Sequence, residues 1–413
     1  MKVIHMLMHD NTGAGKAAIR LHDGLLQENI DSLVMTSHKS LDSIKILRPN
    51  KSKLLYKKMQ MLIMNKILSG FGVKQNIFSI NLLPSFVNQD IKFLSPDIIN
   101  LHWIGWEFLQ IEELKKINIP LVWTLHDMWA FTGGCHYSGD CNNYINYCGK
   151  CPQLQSSQEN DISNWVLKRK IKAWQNLNIT VVSPSNWLAK CASSSSLFKN
   201  VRIEVIPNGI DTKKYKPISQ SVARNILGLP QNKQLILFGA IAATSDRRKG
   251  FHLLQTALQI LSQTNLAESI ELVVFGASDS SNSFEISFES HYLGKLNDDF
   301  SLALVYAASD VFVAPSLEDN LPNTVMESLA CATPCVAFDI GGMGDLIEHQ
   351  QNGYLAKPFD VEDLAKGITW VLNDQHRLQN LGTYARTTVE QKFSLEKQAK
   401  KYLSLYQELS QTI

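Results

Sequence analysis

The sequence predicts an α/β fold in two domains. Three observations carry this. The chain has 413 residues, too many for one ordinary hydrophobic core. Apolar runs of strand length alternate with helical spacing from residue 2 onward, and the alternation restarts after Pro207-Asn208-Gly209, a turn cluster that marks a domain boundary. Residues 311–338, VFVAPSLEDNLPNTVMESLACATPCVAF, read as strand, polar loop, helix and strand, one unit of a doubly wound sheet. The expected division is 1–207 and 208–392. Apolar content of 45% against 19% charged excludes a disordered chain, and a net charge of +2 gives no argument for nucleic acid. No apolar run approaches the length of a membrane span. The start, MKVIHMLMHD, lacks a small-residue cleavage site and reads as a first strand, so a cytoplasmic location with reduced thiols is expected.

Residues 2–8 form that strand, 9–15 a turn, 16–27 a helix and 30–36 a second strand. Gly13 and Gly15 in the turn let the backbone approach a ligand. The loop matches neither nucleotide fingerprint. Ala18 stands where G-x-G-x-x-G needs glycine; Asp10 and Ala17 break a P-loop. A tight turn without a ligand explains the glycines equally.

Residues 45–89 contain Lys45, Arg48, Lys51, Lys53, Lys57, Lys58, Lys66 and Lys74 and no acid. Leu54, Leu55, Met59, Leu62, Ile63, Ile67 and Leu68 fall near helical spacing. A basic amphipathic helix at 51–70 can lie on an anionic membrane. The simpler reading is a core-facing helix whose lysines snorkel.

Residues 97–103 and 119–125 read as strands, with His102 and His126 at or just past their carboxyl ends, where a functional side chain projects. Cys135, Cys141, Cys148 and Cys151 follow. Four cysteines in a short loop, two of them as CGKC, suggest a structural zinc. Two disulfides or four free thiols are the alternatives. Strands at 179–184 and 201–206 close the first domain.

In the second domain, strands at 234–239 and 271–276 flank a helix at 250–262. Arg247, Arg248 and Lys249 precede that helix, where cations would neutralise a pyrophosphate. A solvated basic turn is the ordinary alternative. In 311–338, Glu318 and Asp319 sit on the loop, and Glu327 falls in the first turn of a helix starting near Thr324. Helix-start amides attract phosphate, and a nearby carboxylate can hold a diol. Helices at 361–372, 375–391 and 393–409 end the chain.

The segments MKVIHMLMHDNTGAGKAAIRLH, WTLHD, VVSPSNWL, VIPNGID, RRKGFHLL, VYAASDVFVAPSLEDNLPNTVMESLACATPCVAF and NGYLAKP together resemble the family 4 glycosyltransferases, retaining enzymes of the GT-B fold. The cysteine loop is similar to one in bacterial surface-polysaccharide transferases. The resemblance implies two Rossmann-like domains facing across a cleft, the first mainly for the acceptor and the second for a nucleoside-diphosphate sugar, with the last helix (393–413) packing back on the first domain. A glycan or lipid-linked acceptor follows from it, and the basic helix at 51–70 offers peripheral contact with the inner membrane face as the alternative to its core-facing reading. Gly13, Ala14 and Gly15 match the glycine loop near the donor phosphates. His126 matches the histidine near the reacting sugar, Lys249 the lysine on the diphosphate, and Glu327 the second glutamate of E-x(7)-E, on the ribose. Asp319, not Glu318, falls at the first acidic position; Asn320, Leu321, Asn323 and Thr324 complete the donor loop. Ala240 replaces the usual arginine, whose charge Arg248 can supply.

The implied chemistry is retaining sugar transfer to a hydroxyl, with charge on the departing diphosphate stabilised by Lys249 and Arg248 and no cofactor needed for catalysis. A sugar-nucleotide epimerase and a non-catalytic binding module are the rival expectations on the same fold.

Overall fold

Val3, Ile4, Met6, Leu7 and Met8 are all fully buried, which is why the first strand runs through the middle of a sheet covered on both faces. The structure, a computed structural model, describes residues 1–48, 51–71, 78–85, 87–241, 243–277 and 288–411. The chain divides into two compact units, Met1–Pro207 with Gln398–Ile413, and Asn208–Lys397.

In the first unit the strands are β1 (Lys2–His9), β2 (Asp31–His38), β3 (Ile46–Leu47), β4 (Ile98–Leu101), β5 (Leu121–Thr124), β6 (Ile179–Ser183) and β7 (Arg202–Val205). They form one parallel sheet in the order β3-β2-β1-β4-β5-β6-β7. The order reverses between β1 and β4, the place where such sheets bind ligands beyond their carboxyl ends. In the second unit the strands are β8 (Gln234–Gly239), β9 (Ile270–Phe275), β10 (Ser290–Tyr292), β11 (Val311–Ala314), β12 (Cys335–Phe338) and β13 (Gly353–Ala356). Their order is β10-β9-β8-β11-β12-β13, again parallel, with the reversal between β8 and β11.

Two helix starts differ from the sequence reading. The first helix is Gly13–Gln27, not one starting at Lys16, because Thr12 caps it: its hydroxyl accepts from the Gly15 amide at 3.2 Å. The helix after β11 is Asn323–Ala330, so Glu327 is its fifth residue and lies beyond the first turn.

The basic segment forms a helix, Lys51–Ser69, but five of the seven apolar residues read at helical spacing do not face the core as expected. Lys57, Gln60, Met64 and Leu68 are buried, whereas Leu55 (71% exposed), Met59, Leu62 (70%), Ile63 and Ile67 are exposed on the opposite side. The buried side repeats at helical spacing with a polar pair at its start, so the more apolar stripe is the one left in solvent. Lys74 lies outside the described residues.

The last helix, Leu395–Gln411, begins in the second unit, and its body belongs to the first. There Tyr402, Leu405 and Tyr406 pack with Val3, Leu21, Ile98, Val122 and Val182. The Tyr402 hydroxyl pairs with the Thr124 hydroxyl at 2.8 Å, and Asn100 donates to the Tyr406 hydroxyl at 2.7 Å.

Candidate functional site

In the second unit, two loops meet at the carboxyl ends of β8 and β11. The turn Arg247–Lys249 follows β8, and the Leu317 amide donates to the Arg248 carbonyl at 2.8 Å, joining it to the loop after β11. Gly250 makes the approach feasible: its φ is +73°, and a Cβ there would lie 1.7 Å from the Pro315 carbonyl oxygen.

The charges then assemble. Lys249 Nζ lies 2.6 Å from Asp319 Oδ2, and Arg248 Nη1 lies 3.6 Å from the same oxygen. Arg248 also donates to the Glu318 carbonyl at 3.0 Å and pairs with Asp246 at 3.3 Å. Burial alone would raise the Asp319 carboxyl; the Lys249 and Arg248 charges, with hydrogen bonds from Lys249 and the Asn320 amide, hold it below the usual carboxylate range. Two cations therefore sit against one buried carboxylate at a ligand-binding end of the sheet.

Asn320 and Leu321 are buried, while Glu318, Asn323 and Thr324 are partly exposed. Glu327 is 2% exposed, and its Oε2 accepts from the Tyr306 hydroxyl at 3.1 Å. Tyr306 is a residue the sequence reading missed; it lies in the helix Asp299–Ala308, where it reads as core. The structure thus joins Arg248, Lys249 and Asp319 directly and sets Glu327 in the adjoining helix, held by its own tyrosine.

In the first unit, the carboxyl ends of β1, β4 and β5 carry the second group. Gly15 packs so tightly on β1 that a Cβ would sit 2.2 Å from the His9 carbonyl oxygen, so its glycine is demanded by the turn itself. Gly13 is exposed and has open space where a Cβ would be; Ala14 is partly exposed. His126 follows β5. Its Nε2 lies 3.0 Å from His102 Nδ1, and His102 Nε2 lies 2.9 Å from His5 Nδ1. Burial pushes His126 down to about 4, and His5 and His102 well below the ordinary histidine value.

Beside it, Asp127 pairs with His136 Nδ1 at 2.7 Å and accepts from the Trp129 amide and the Trp103 indole. Burial opposes the Asp127 charge, but His136 and these bonds hold its carboxyl below the usual range. His5 and the Asp127–His136 pair were also missed. A histidine inside the apolar run of β1 was the available signal for the first.

The cysteine loop holds four free thiols, Cys135, Cys141, Cys148 and Cys151. They match a zinc donor set in type. Among the described residues, the group of three or more ligating side chains whose donor atoms lie within 4.8 Å of one another is Glu271, Glu289 and His291, and the thiols are more widely spread. Burial raises the Cys135 and Cys151 thiols and pushes Cys148 up to about 12. The loop is pinned by other bonds. The Cys151 amide donates to Asp161 at 2.9 Å, and buried Lys170, 3.8 Å from the Trp129 ring centroid, donates to the Trp129 and Thr132 carbonyls.

Comparison with known proteins identifies the frame. The Glycosyltransferase Family 4 model matches residues 13–214, and the Glycosyl transferases group 1 model matches 219–388. The UDP-Gal:alpha-D-GlcNAc-diphosphoundecaprenol alpha-1,3-galactosyltransferase of Escherichia coli is 24% identical over 216 residues, 50% of this chain and 54% of that protein. The chain thus spans about half the length of that relative. Sucrose-phosphate synthase from Thermosynechococcus elongatus superimposes with a TM-score of 0.73 at 18% identity, covering all of both chains. Anabaena HepE in complex with UDP-glucose gives 0.66 at 17% identity, over 99% of this chain and 100% of that one. At these identities the structures speak for the fold alone, which is two Rossmann-like parallel-sheet domains of the GT-B class. With the two family models between them spanning most of its length, the chain belongs to the family 4 glycosyltransferases.

Proposed function

We propose that the protein is a retaining glycosyltransferase that moves a sugar from a nucleoside diphosphate to a hydroxyl acceptor. The observation that supports this is the Arg248–Lys249 turn held against Asp319 at the reversal point of the second sheet. As the sugar–phosphate bond breaks, negative charge gathers on the diphosphate. Lys249, Arg248 and the helix start at Asn323 and Thr324 stabilise it, from positions fixed before the ligand arrives. Asp319 holds both cations in place. Glu327, fixed by Tyr306, takes the ribose hydroxyls, with Glu318, Asn320 and Leu321 shaping the loop beside it. In the first unit Gly13, Ala14, Gly15 and His126 follow the carboxyl ends of β1 and β5, the positions that the resemblance assigns to phosphate and sugar recognition.

The test is a thermal-shift panel of nucleoside diphosphates and their sugars. One of them, at about a hundred times its dissociation constant, adds about 2.7 kcal/mol of stability. Incubation with an acceptor then gives a product of unchanged anomeric configuration by NMR. Interconversion of the donor alone would make the protein an epimerase, and binding without turnover a binding module.

The acceptor we propose is lipid-linked, reached from an anionic membrane surface. No helix among the described residues is long and apolar enough to cross a membrane. The outward stripe Leu55, Met59, Leu62, Ile63 and Ile67 supports surface contact instead, with exposed Lys58 and Lys66 on the same side. Residues 45–89 hold no acid, which suits anionic headgroups. Vesicles of anionic lipid are expected to pellet the protein and neutral vesicles to leave most of it in solution. A Leu55→Ser, Leu62→Ser variant releases it. Equal binding to both vesicles, or concentration-dependent self-association through this stripe, would contradict the reading.

A further inference from the structure

Three histidines form a hydrogen-bonded line across the first sheet. His5 is in β1, His102 just after β4 and His126 just after β5, and these three strands are neighbours. The contacts are His5 Nδ1 to His102 Nε2 at 2.9 Å and His102 Nδ1 to His126 Nε2 at 3.0 Å. His5 is 0% and His102 3% exposed. We infer that His5 and His102 are positioning residues that fix His126 in its Nδ1–H tautomer, so that it meets a ligand oxygen as a hydrogen-bond donor.

The argument is one of proton counting. Each neutral imidazole has one N–H and one lone pair. At 2.9 and 3.0 Å, every contact needs one of each, since two N–H groups or two lone pairs would repel. Only two arrangements satisfy both contacts: all three rings protonated at Nδ1, or all three at Nε2. They differ at the inner end of the line. His5 Nε2 is buried and has no hydrogen-bond partner among the described residues. The Nε2–H arrangement would seal an N–H there with nothing to accept it, and orphaned buried donors are the rarest kind. The Nδ1–H arrangement leaves a lone pair there and sends a donor outward at every step. His126 Nδ1, the nitrogen outside the line, then carries a proton and does not act as a base. A donor at that nitrogen leaves the acceptor's proton to the departing diphosphate, whose oxygen accepts it as the sugar–phosphate bond breaks, so the proposed transfer then needs no protein base.

The inference rests on the proposed transfer only for its meaning; its test does not. Protein labelled with 15N-histidine is examined at pH 7 by long-range 1H–15N correlation, which tells the two tautomers apart, with assignments from single His variants. Nδ1–H at His5, His102 and His126 is expected. In His5→Phe, His126 becomes a mixture of tautomers, and kcat falls roughly tenfold or more with KM little changed. Nε2–H at His126 in the unaltered protein, or an unchanged His126 signal in His5→Phe, overturns the inference. Should His5→Phe not fold, the unaltered protein's spectrum decides alone. Absence of sugar transfer with Nδ1–H intact would count against the proposed function and leave this inference standing.

Discussion

Replacing Lys249 with alanine lowers turnover by about two to three orders of magnitude, the usual loss when one fixed contact to developing charge is removed. The effect falls on kcat more than on KM, because the lysine acts on charge that grows as the sugar–phosphate bond breaks. A second consequence separates this residue from an ordinary surface lysine. Asp319 is 7% exposed and has Lys249 at 2.6 Å, with Arg248 farther away at 3.6 Å. Without Lys249 a buried carboxylate loses its nearest counter-charge, so the second unit is destabilised and the Asp319 carboxyl titrates at higher pH. Lys249→Arg is expected to restore stability more fully than turnover, since a planar fork does not reproduce a point charge. Steady-state kinetics and urea melts on both variants measure this. Full turnover in Lys249→Ala would remove the proposed mechanism.

The first unit unfolds on mild acidification while the second still holds. His126 is pushed down to about 4 by burial, and His5 and His102 lie well below 6.5. His22 is also pushed down to about 4, again mainly by burial. These folded-state values lie below the unfolded one, so the unfolded chain takes up protons first. The stability they contribute is complete above about pH 6.5 and is lost as pH falls from there toward 4. Each ring contributes a slope of up to about 1.4 kcal/mol per pH unit in that window. In the second unit His252 is lowered as well, but it is only partly buried, and the depressed Asp319 keeps its contribution until the pH falls to the ordinary carboxylate value. Tryptophan fluorescence reports the difference, because seven of the eight tryptophans precede residue 208. Urea midpoints followed by fluorescence should fall steeply between pH 7 and pH 5; a flat profile would refute the expectation.

The inner strands of both sheets are legible because they are short apolar runs bounded by turn residues; β3, β10 and β13, at the sheet edges, are not assigned from sequence. The segment after β11 was legible for the same reason, as was the basic turn at Arg247, Arg248 and Lys249. The helices Ile162–Trp174, Gln220–Leu227 and Asp299–Ala308 were not assigned from sequence. The first mixes Lys, Ser and Asn into its buried side, where Lys170 and Asn164 are satisfied by carbonyls supplied by distant segments. The helix Lys51–Ser69 showed the right period, but the direction its apolar stripe faces depends on which side finds a partner, and period alone is silent on that. At the site, the ion pair of Lys249 with Asp319 could not be read from residues 70 positions apart. The same holds for the histidine line, whose members come from three strands that the topology makes neighbours. Asp319 stands where the family pattern has a glutamate, and its pairing with both cations gives the shorter side chain a task of its own.

The path of the helix Leu395–Gln411 bears on how the protein is made. The first unit's core includes Tyr402 and Tyr406, which close over Val3, Ile98 and Val122. Residues up to Pro207 leave the ribosome long before Gln398 exists, an interval on the order of 10–40 s at ordinary synthesis rates. During it the nascent half has an uncovered apolar face, and Asn100 and Thr124 keep the bond between them but lack their tyrosine partners. Its maturation therefore waits on the completion of the second half, and a fragment ending near residue 207 is a sticky species that needs chaperones, not a free-standing domain.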